Sequence, residues 1–188
     1  MAGAALLLGL FLLLELGRPW LFEPLRYDRD ALLAGQVWRL LTAHALHLGP
    51  IHAAMNGVGV VLVVALCQPR WTPLGWLWRS AALAVPISLG MLWALPGLSS
   101  YVGFSGVAHG LFVLGLWPLA RQGDWVARGC LLYLVGKLLW EMVFGAAVID
   151  SQWIGGAVIV EAHSFGALAA AAGLLFGAWL DARGLSRR

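Results

Sequence analysis

Two polar side chains stand inside apolar stretches of this chain, and their types are those that nucleophilic catalysis uses. Ser105 lies in Gly103-Phe104-Ser105-Gly106, at the mouth of one apolar stretch, and His163 lies in another. Polar groups are costly at membrane depth, so a serine and a histidine there need a reason. A hydroxyl beside an imidazole can act as a nucleophile, with the imidazole as its general base. The pair is therefore predicted to be a Ser–His catalytic dyad.

Each residue also has a structural interpretation that the sequence leaves open. Ser105 can be a helix N-cap, with Gly103 and Gly106 as packing glycines. His163, taken alone, can be a histidine that only forms hydrogen bonds within a bundle.

The composition indicates a membrane protein. Of the 188 residues, 61% are hydrophobic and 11% are charged, and the mean hydropathy is +0.84. A soluble domain carries about a quarter charged residues, so this chain has too few for an aqueous surface. The net charge of +3 does not indicate nucleic-acid binding, because the arginines lie mainly between apolar runs. We expect one all-α domain over 1–188 in a lipid bilayer.

Six apolar runs predict six transmembrane helices, since about twenty helical residues cross the hydrocarbon core. The predicted spans are about 3–22, 51–67, 80–97, 104–120, 128–149 and 160–180. Basic residues favour cytoplasmic loops, and an N-in/C-in orientation places these arginines inside: Arg70, Arg79, Arg121, Arg128, Arg183, Arg187 and Arg188. The first outer loop is a partial exception, because it carries Arg26, Arg29 and Arg39.

This orientation places the polar residues of three spans at one depth. Spans two, four and six begin on the outer side, where His52 and Asn56, Ser105, and His163 lie respectively. The helix from Ser105 to Ala120 would cover only about 24 Å of the roughly 30 Å of hydrocarbon. Its first turn is therefore predicted to lie below the outer surface, where free backbone N–H groups can hold an oxyanion.

Small residues at helical spacing predict how the dyad is brought together. One stripe on span six consists of His163, Gly166, Ala170, Gly173 and Gly177. Gly106 and Gly110 form a matching groove on span four, and such stripes let membrane helices approach closely.

His109, Lys137 and Glu141 are further polar residues within these spans. His109, four residues after Ser105, shares its helix face and is a rival general base, or otherwise lines the pocket beneath the dyad. Lys137 and Glu141 are four apart in span five and are predicted to pair with each other; a role in gating or substrate contact is the alternative.

The motifs Gly103-Phe104-Ser105-Gly106 and Ala162-His163-Ser164-Phe165-Gly166 resemble those of the rhomboid intramembrane serine proteases. Trp38-Arg39 and the run from His47 to Asn56, which is similar to the family's His-rich entry into span two, add to the resemblance. It covers about 38 to 177, the whole six-helix core of a rhomboid-like bundle.

The resemblance implies a role for each matching residue. Ser105 would be the nucleophile and His163 the general base, while the Ser105 N–H, the His52 side chain and the Asn56 amide would hold the oxyanion. The family uses no acidic third residue, so the histidine would be oriented by packing alone. Neither a metal nor another cofactor is implied.

Two positions differ from the usual family pattern. His109 stands where many rhomboids carry a tyrosine that stacks on the catalytic histidine. Glu161 replaces a small residue two positions before His163, where it can cap span six or contact substrate.

The minimal length and the pattern Gly-x-Ser-Gly-x-x-His are similar to the rhombosortase branch. That branch implies substrates that are exported bacterial proteins with a C-terminal Gly-Gly motif, a membrane helix and a basic tail. The protein would then lie in a bacterial inner membrane, with its active site toward the periplasm.

Three non-proteolytic readings remain from the sequence. His44, His47 and His52 with His109 could bind a metal, although no HExxH pattern is present. A six-helix transporter would predict inverted repeats, and the chain shows no convincing internal repeat. An inactive rhomboid-like chaperone is the third reading.

Overall fold

The computed structural model describes residues 1–146 and 148–185, and within them the chain is mostly helical. Its helices are α1 (Ala2–Leu16), α2 (Arg18–Leu25), α3 (Arg29–Leu33), α4 (Arg39–Thr42), α5 (Pro50–Cys67), α6 (Pro73–Ala94), α7 (Ser105–Arg121), α8 (Trp125–Phe144), α9 (Val148–Ile154) and α10 (Val160–Ala182). A short 3-10 helix covers Ala43–Ala45, and two short strands, β1 (Tyr27–Asp28) and β2 (Ser100–Tyr101), pair antiparallel.

Three of these helices, α5, α6 and α10, are long and apolar enough to cross a membrane. The segments α1 and α2 make a fourth such span only if they count as one bent unit. Helix α7 has 17 residues, and α8 carries Arg128, Lys137 and Glu141. The described part of the chain is thus a helical protein with at least three segments suited to a bilayer.

The predicted bounds of three spans are wrong. The first, 3–22, is broken at Gly17, where α1 and α2 meet at 105°, because Pro19 favours the start of a new helix. The third, 80–97, begins earlier, at Pro73, since the Thr72 side chain accepts a hydrogen bond from the Gly75 N–H.

The fifth predicted span, 128–149, ends early. Helix α8 stops at Phe144 because Gly145 has a φ of 75°, a left-handed value that ends the helical path. Residues from Val148 belong to the separate helix α9. Residue 147 of that predicted range, and Arg187 and Arg188 at the end of the chain, lie outside the described residues.

The loop between α2 and α5 is folded and packed on the bundle. The buried Arg39 donates to the carbonyls of Glu23 and Arg26 at 2.9 and 2.6 Å. Arg29 donates to the Leu92 carbonyl at 2.7 Å, which fastens the loop to the end of α6. Arg29 and Arg39, which depart from the predicted charge asymmetry, therefore serve as hydrogen-bond donors that hold this loop in place.

Helix α7 lies at the centre of the bundle and packs against α5, α6, α8 and α10. Its tightest contact is with α10: a Cβ at Gly166 would lie 1.9 Å from the Gly106 carbonyl oxygen, and one at Gly110 would lie 2.8 Å from the Gly166 carbonyl oxygen. Only glycine fits such backbone contacts.

The close contact between α7 and α10 extends over fewer residues of α10 than the predicted stripe of small residues. Added Cβ atoms at Gly173 and Gly177 would meet nothing within 4 Å. The prediction that these two glycines pack against α7 is therefore wrong, because the helices have separated there and leave a groove, of about 870 Å³, between α7, α8 and α10.

Candidate active site

Ser105 is the first residue of α7, as the short apolar run predicts. The chain before it is irregular: Gly103 has a φ of 142° and its N–H donates to the Ala43 carbonyl at 3.1 Å. The buried Tyr101 hydroxyl donates to the Gly103 carbonyl at 2.8 Å. These bonds hold the turn that presents a half-buried Ser105 hydroxyl at the helix start.

His163 lies in the first turns of α10 and is 5% exposed. Its Nε2 is 2.9 Å from the Ser105 Oγ, a hydrogen-bond distance. The glycine contact delivers this geometry, because the Ala162 carbonyl rests directly against Gly106. The structure therefore brings together the two residues that the sequence analysis proposed as a dyad.

The other ring nitrogen of His163 has an acidic partner. Its Nδ1 lies 2.9 Å from the Glu141 Oε2. The expectation that packing alone orients this histidine is wrong, because a carboxylate from α8 holds the ring. Sequence reasoning paired Glu141 only with Lys137; the available signal was that a carboxylate inside an apolar helix needs polar partners.

Hydrogen-bond chemistry then assigns the ring's tautomer. An ionised carboxylate only accepts, so His163 Nδ1 carries the proton and Nε2 has a free lone pair. The Ser105 hydroxyl accordingly donates to Nε2, as in a general-base pair.

The predicted pairing of Lys137 with Glu141 is confirmed. The Lys137 Nζ lies 2.7 Å from Glu141 Oε1, so both oxygens of this carboxylate are engaged. The same ammonium lies 3.1 Å from His109 Nε2.

His109 stacks on His163, with ring centroids 4.3 Å apart and planes inclined by 10°. Its Nδ1 lies 2.7 Å from the Ser105 backbone carbonyl, which can only accept, so this nitrogen is protonated. Its Nε2 therefore accepts from Lys137. Both ring nitrogens point to partners other than the Ser105 hydroxyl, and this geometry favours the pocket-lining role over that of rival base.

The predicted oxyanion residues lie beside the same helix start. His52 Nδ1 accepts from the Leu48 N–H at 3.1 Å, which leaves the proton on Nε2. That nitrogen packs against Gly103, 3.2 Å from where a Cβ would stand. Asn56 uses one amide N–H on the His52 carbonyl, at 3.0 Å, and has a second to offer.

Helix registers place Asn56 level with Ser105. A Cβ at Gly59 would lie 3.8 Å from the Ala108 Cβ, and each of these residues is three positions after Asn56 or Ser105. Since α5 and α7 run in parallel, Asn56 lies level with Ser105 about one turn earlier on each helix.

Two remaining predicted residues have different placements. Gly166 forms the close contact with Gly106 described above. Glu161 lies exposed in the first turn of α10, where a negative charge is favoured by the helix dipole.

The four histidines suggested for a metal site do not form one group of ligands. His44 Nε2 lies 2.8 Å from the Ser88 hydroxyl, and His47 meets His52 edge-on with ring centroids 5.2 Å apart. Burial lowers the pKa of His44 to about 4 and that of His47 to about 3, so both loop histidines are neutral near pH 7.

A different group of possible metal ligands is present. Ligand atoms of His109, Glu141 and His163 lie within 4.8 Å of one another. Lys137, however, is hydrogen-bonded to two of these three residues. A bound cation would have to displace this ammonium, so the donor set favours a hydrogen-bond network over a metal centre.

Comparison of the chain with family models, with curated proteins and with solved structures finds no match in any of the three.

Proposed function

We propose that this protein is a rhomboid-like intramembrane serine protease in which Ser105 is the nucleophile and His163 the general base. One observation carries the proposal: the half-buried Ser105 hydroxyl at a helix start lies 2.9 Å from Nε2 of a buried histidine on another helix. The tautomer deduced for His163 leaves that nitrogen free to accept a proton.

The reaction follows from this pair. His163 Nε2 takes the Ser105 proton as Oγ attacks the scissile carbonyl carbon, and a tetrahedral oxyanion forms. The imidazolium then gives its proton to the amide nitrogen, the C–N bond breaks and the amine leaves. Water repeats the sequence on the acyl-enzyme, returning the proton to Ser105 and releasing the carboxylic acid.

Donors from three sources are available for the oxyanion. They are the N–H groups of the first turn of α7, His52 Nε2–H and the second N–H of the Asn56 amide. The N-cap residue Phe104 offers no side-chain bond to that turn, which leaves its N–H groups for substrate. One such donor typically contributes about 3–4 kcal/mol to transition-state stabilisation.

The proposed substrates are membrane-anchored proteins that are cleaved near the outer face. In this proposal the chain has six spans in an N-in/C-in orientation, and it lies in a bacterial inner membrane with its site toward the periplasm. Substrates with a C-terminal Gly-Gly motif, a membrane helix and a basic tail fit the resemblance to rhombosortases. Support comes from the shared position of His52, Ser105 and His163 at the starts of α5, α7 and α10.

The test replaces the nucleophile. Ser105→Ala is expected to insert and fold normally, to lose cleavage of a co-expressed Gly-Gly-tailed protein, and to lose labelling by a fluorophosphonate. Ser99→Ala, at an exposed serine before the site, is the matched control and should retain both. Mass spectrometry of the product's new C-terminus gives the cleaved bond.

Retained cleavage in Ser105→Ala would reject the nucleophile assignment. EDTA distinguishes a metal-dependent activity from the proposed protease, since a Ser–His enzyme should be unaffected by the chelator. Loss of activity with EDTA, together with absent fluorophosphonate labelling, would favour a metal centre at His109, Glu141 and His163 instead.

A further inference from the structure

Behind His163, on the side away from Ser105, lies a carboxylate that the Ser–His mechanism does not require. Glu141 is 9% exposed and sits within the apolar helix α8, one turn before its end. A charged side chain at such a position is costly unless it is paired. Its two oxygens bond His163 and Lys137 at 2.9 and 2.7 Å.

We infer that Glu141 is a positioning residue that, with Lys137, converts the dyad into a Ser105–His163–Glu141 triad. This inference rests on the proposed function, because it assigns a role within the same reaction. In the absence of an acceptor at Nδ1, an imidazole can carry its proton on either nitrogen. The form protonated at Nε2 cannot take the Ser105 proton, whereas the Glu141 carboxylate selects the form that can.

The charge of Glu141 matters as much as its position. During acylation His163 becomes an imidazolium, and a positive charge is stabilised by a carboxylate at hydrogen-bond distance. The Lys137 ammonium lies 3.1 Å from Nε2 of His109, the ring that stacks on His163. Without the carboxylate, this ammonium would repel the developing imidazolium, because like charges disfavour each other in a site of low dielectric.

Lys137 and His109 complete a ring of bonds around the site. Lys137 donates to Glu141 and to His109, and His109 donates to the Ser105 carbonyl while stacking on His163. Each charged or polar group in this ring thus has a partner, and the pair Lys137–Glu141 is neutral overall. Glu141 therefore does more than form a salt bridge within α8, because it also bonds His163 on α10. The arrangement is that of a catalytic triad.

The kinetic test uses Glu141→Gln, which keeps the size of the side chain and removes its charge. We expect kcat to fall by about 10²- to 10⁴-fold while KM stays within about twofold, because the loss affects the proton-transfer step and not substrate binding. Asp181→Asn is the matched control: it makes the same carboxylate-to-amide change at an exposed side chain near the opposite end of α10 from His163. It should retain its activity.

A double variant separates positioning from a structural role. Lys137→Met with Glu141→Gln removes the repelling ammonium, so kcat should recover by about tenfold relative to Glu141→Gln alone. If the pair only stabilised the fold, the double variant would be no more active than the single one. A kcat for Glu141→Gln within about threefold of the unsubstituted enzyme would overturn the inference.

A substrate-free measurement keeps the inference independent of proteolysis. In Ser105→Ala labelled with ¹⁵N-histidine, the His163 resonances should report an Nδ1-protonated ring, and Glu141→Gln should produce a mixture of tautomers. An unchanged tautomer in Glu141→Gln would overturn the role of Glu141. A tautomer change, together with neither cleavage nor fluorophosphonate labelling in the parent chain that keeps Ser105, would support the His163–Glu141 pair and reject the proposed protease.

Discussion

At the residue scale, the site contains two stacked imidazoles of which only one faces the serine hydroxyl. His163 directs Nε2 to Ser105 Oγ and Nδ1 to Glu141. His109 directs Nδ1 to the Ser105 backbone carbonyl and Nε2 to Lys137. Their different partners assign different protonation patterns and therefore different roles: His163 is placed to exchange a proton with Ser105, and His109 to support the ring above it.

Substitution of each histidine tests this division of roles. His109→Phe keeps a planar ring for stacking but loses two hydrogen bonds of about 1 kcal/mol each, so activity should fall by roughly ten- to a hundredfold and stay measurable. His163→Ala removes the general base and should lower kcat by at least about 10⁴-fold. The measurement is the initial rate of cleavage of one substrate by equal amounts of folded protein. Greater activity in His163→Ala than in His109→Phe would exchange the two assignments.

At the element scale, the distance between α7 and α10 sets the distance between Ser105 and His163, the proposed nucleophile and base. Gly106 and Gly166 bring backbone against backbone, and Ser105 and His163 lie just above this contact. Further along the same pair of helices, Gly173 faces open space. Two glycines of one helix therefore have opposite environments, and this allows a controlled comparison.

Gly166→Ala should separate the helices, since its Cβ would lie 1.9 Å from the Gly106 carbonyl oxygen. Overpacking of this kind costs roughly 1–3 kcal/mol or more, and a 1 Å displacement of a catalytic group can reduce the rate by about 10²-fold. Gly173→Ala should retain activity and gain up to about 1 kcal/mol from helix propensity. Unfolding in mixed micelles and cleavage rates measure both effects. Equal stability and activity of the two variants would contradict the close-packing argument.

The sequence predicts some of these elements well and others poorly, for physical reasons. Ser105 as the first residue of α7 follows from the length of its apolar run, and α5 and α10 follow from their hydropathy. The bend at Gly17 is missed because Leu-rich sequence continues through α1, so the signal of Pro19 at a new helix start is weak beside it. Hydropathy also does not specify where a helix start is capped, as at Thr72.

The contact of Glu141 with His163 could not be derived from sequence patterns. Spacing within α8 indicates that Lys137 and Glu141 share a face. It does not indicate which neighbouring helix that face meets, because α8 carries no small-residue stripe to fix its rotation. The partner becomes evident only when α7, α8 and α10 are seen together.

At the scale of the whole molecule, the loop between α2 and α5 and the first two helices together hold His52 at the site. Arg18 at the start of α2 donates to the carbonyls of His47 and Leu48, the latter at 2.7 Å. The Leu48 N–H then holds His52 through its Nδ1. The bent first segment, the folded loop and α5 thus form one unit that orients a proposed oxyanion donor.

This arrangement also bears on the orientation of the chain in the membrane. Arg26, Arg29 and Arg39 are engaged in hydrogen bonds or ion pairs of the loop, so their positions are explained without a cytoplasmic location. Arg121 and Arg128 lie around the turn that joins α7 to α8, at the opposite end of α7 from Ser105. The preference of basic turns for the cytoplasm agrees with the proposed location of the site at the outer face.

One cysteine added at either end of the bundle tests that placement in intact cells. Leu33→Cys, at a side chain that is 66% exposed in the loop between α2 and α5, should react with a membrane-impermeant maleimide added from outside. Gln122→Cys, at an exposed position of the α7–α8 turn, should react only after the membrane is permeabilised. The parent chain provides the background, since Cys67 is buried and Cys130 half-buried. Labelling of Gln122→Cys but not Leu33→Cys from outside would reverse the orientation and place Ser105 at the cytoplasmic face, where exported substrates would not meet it.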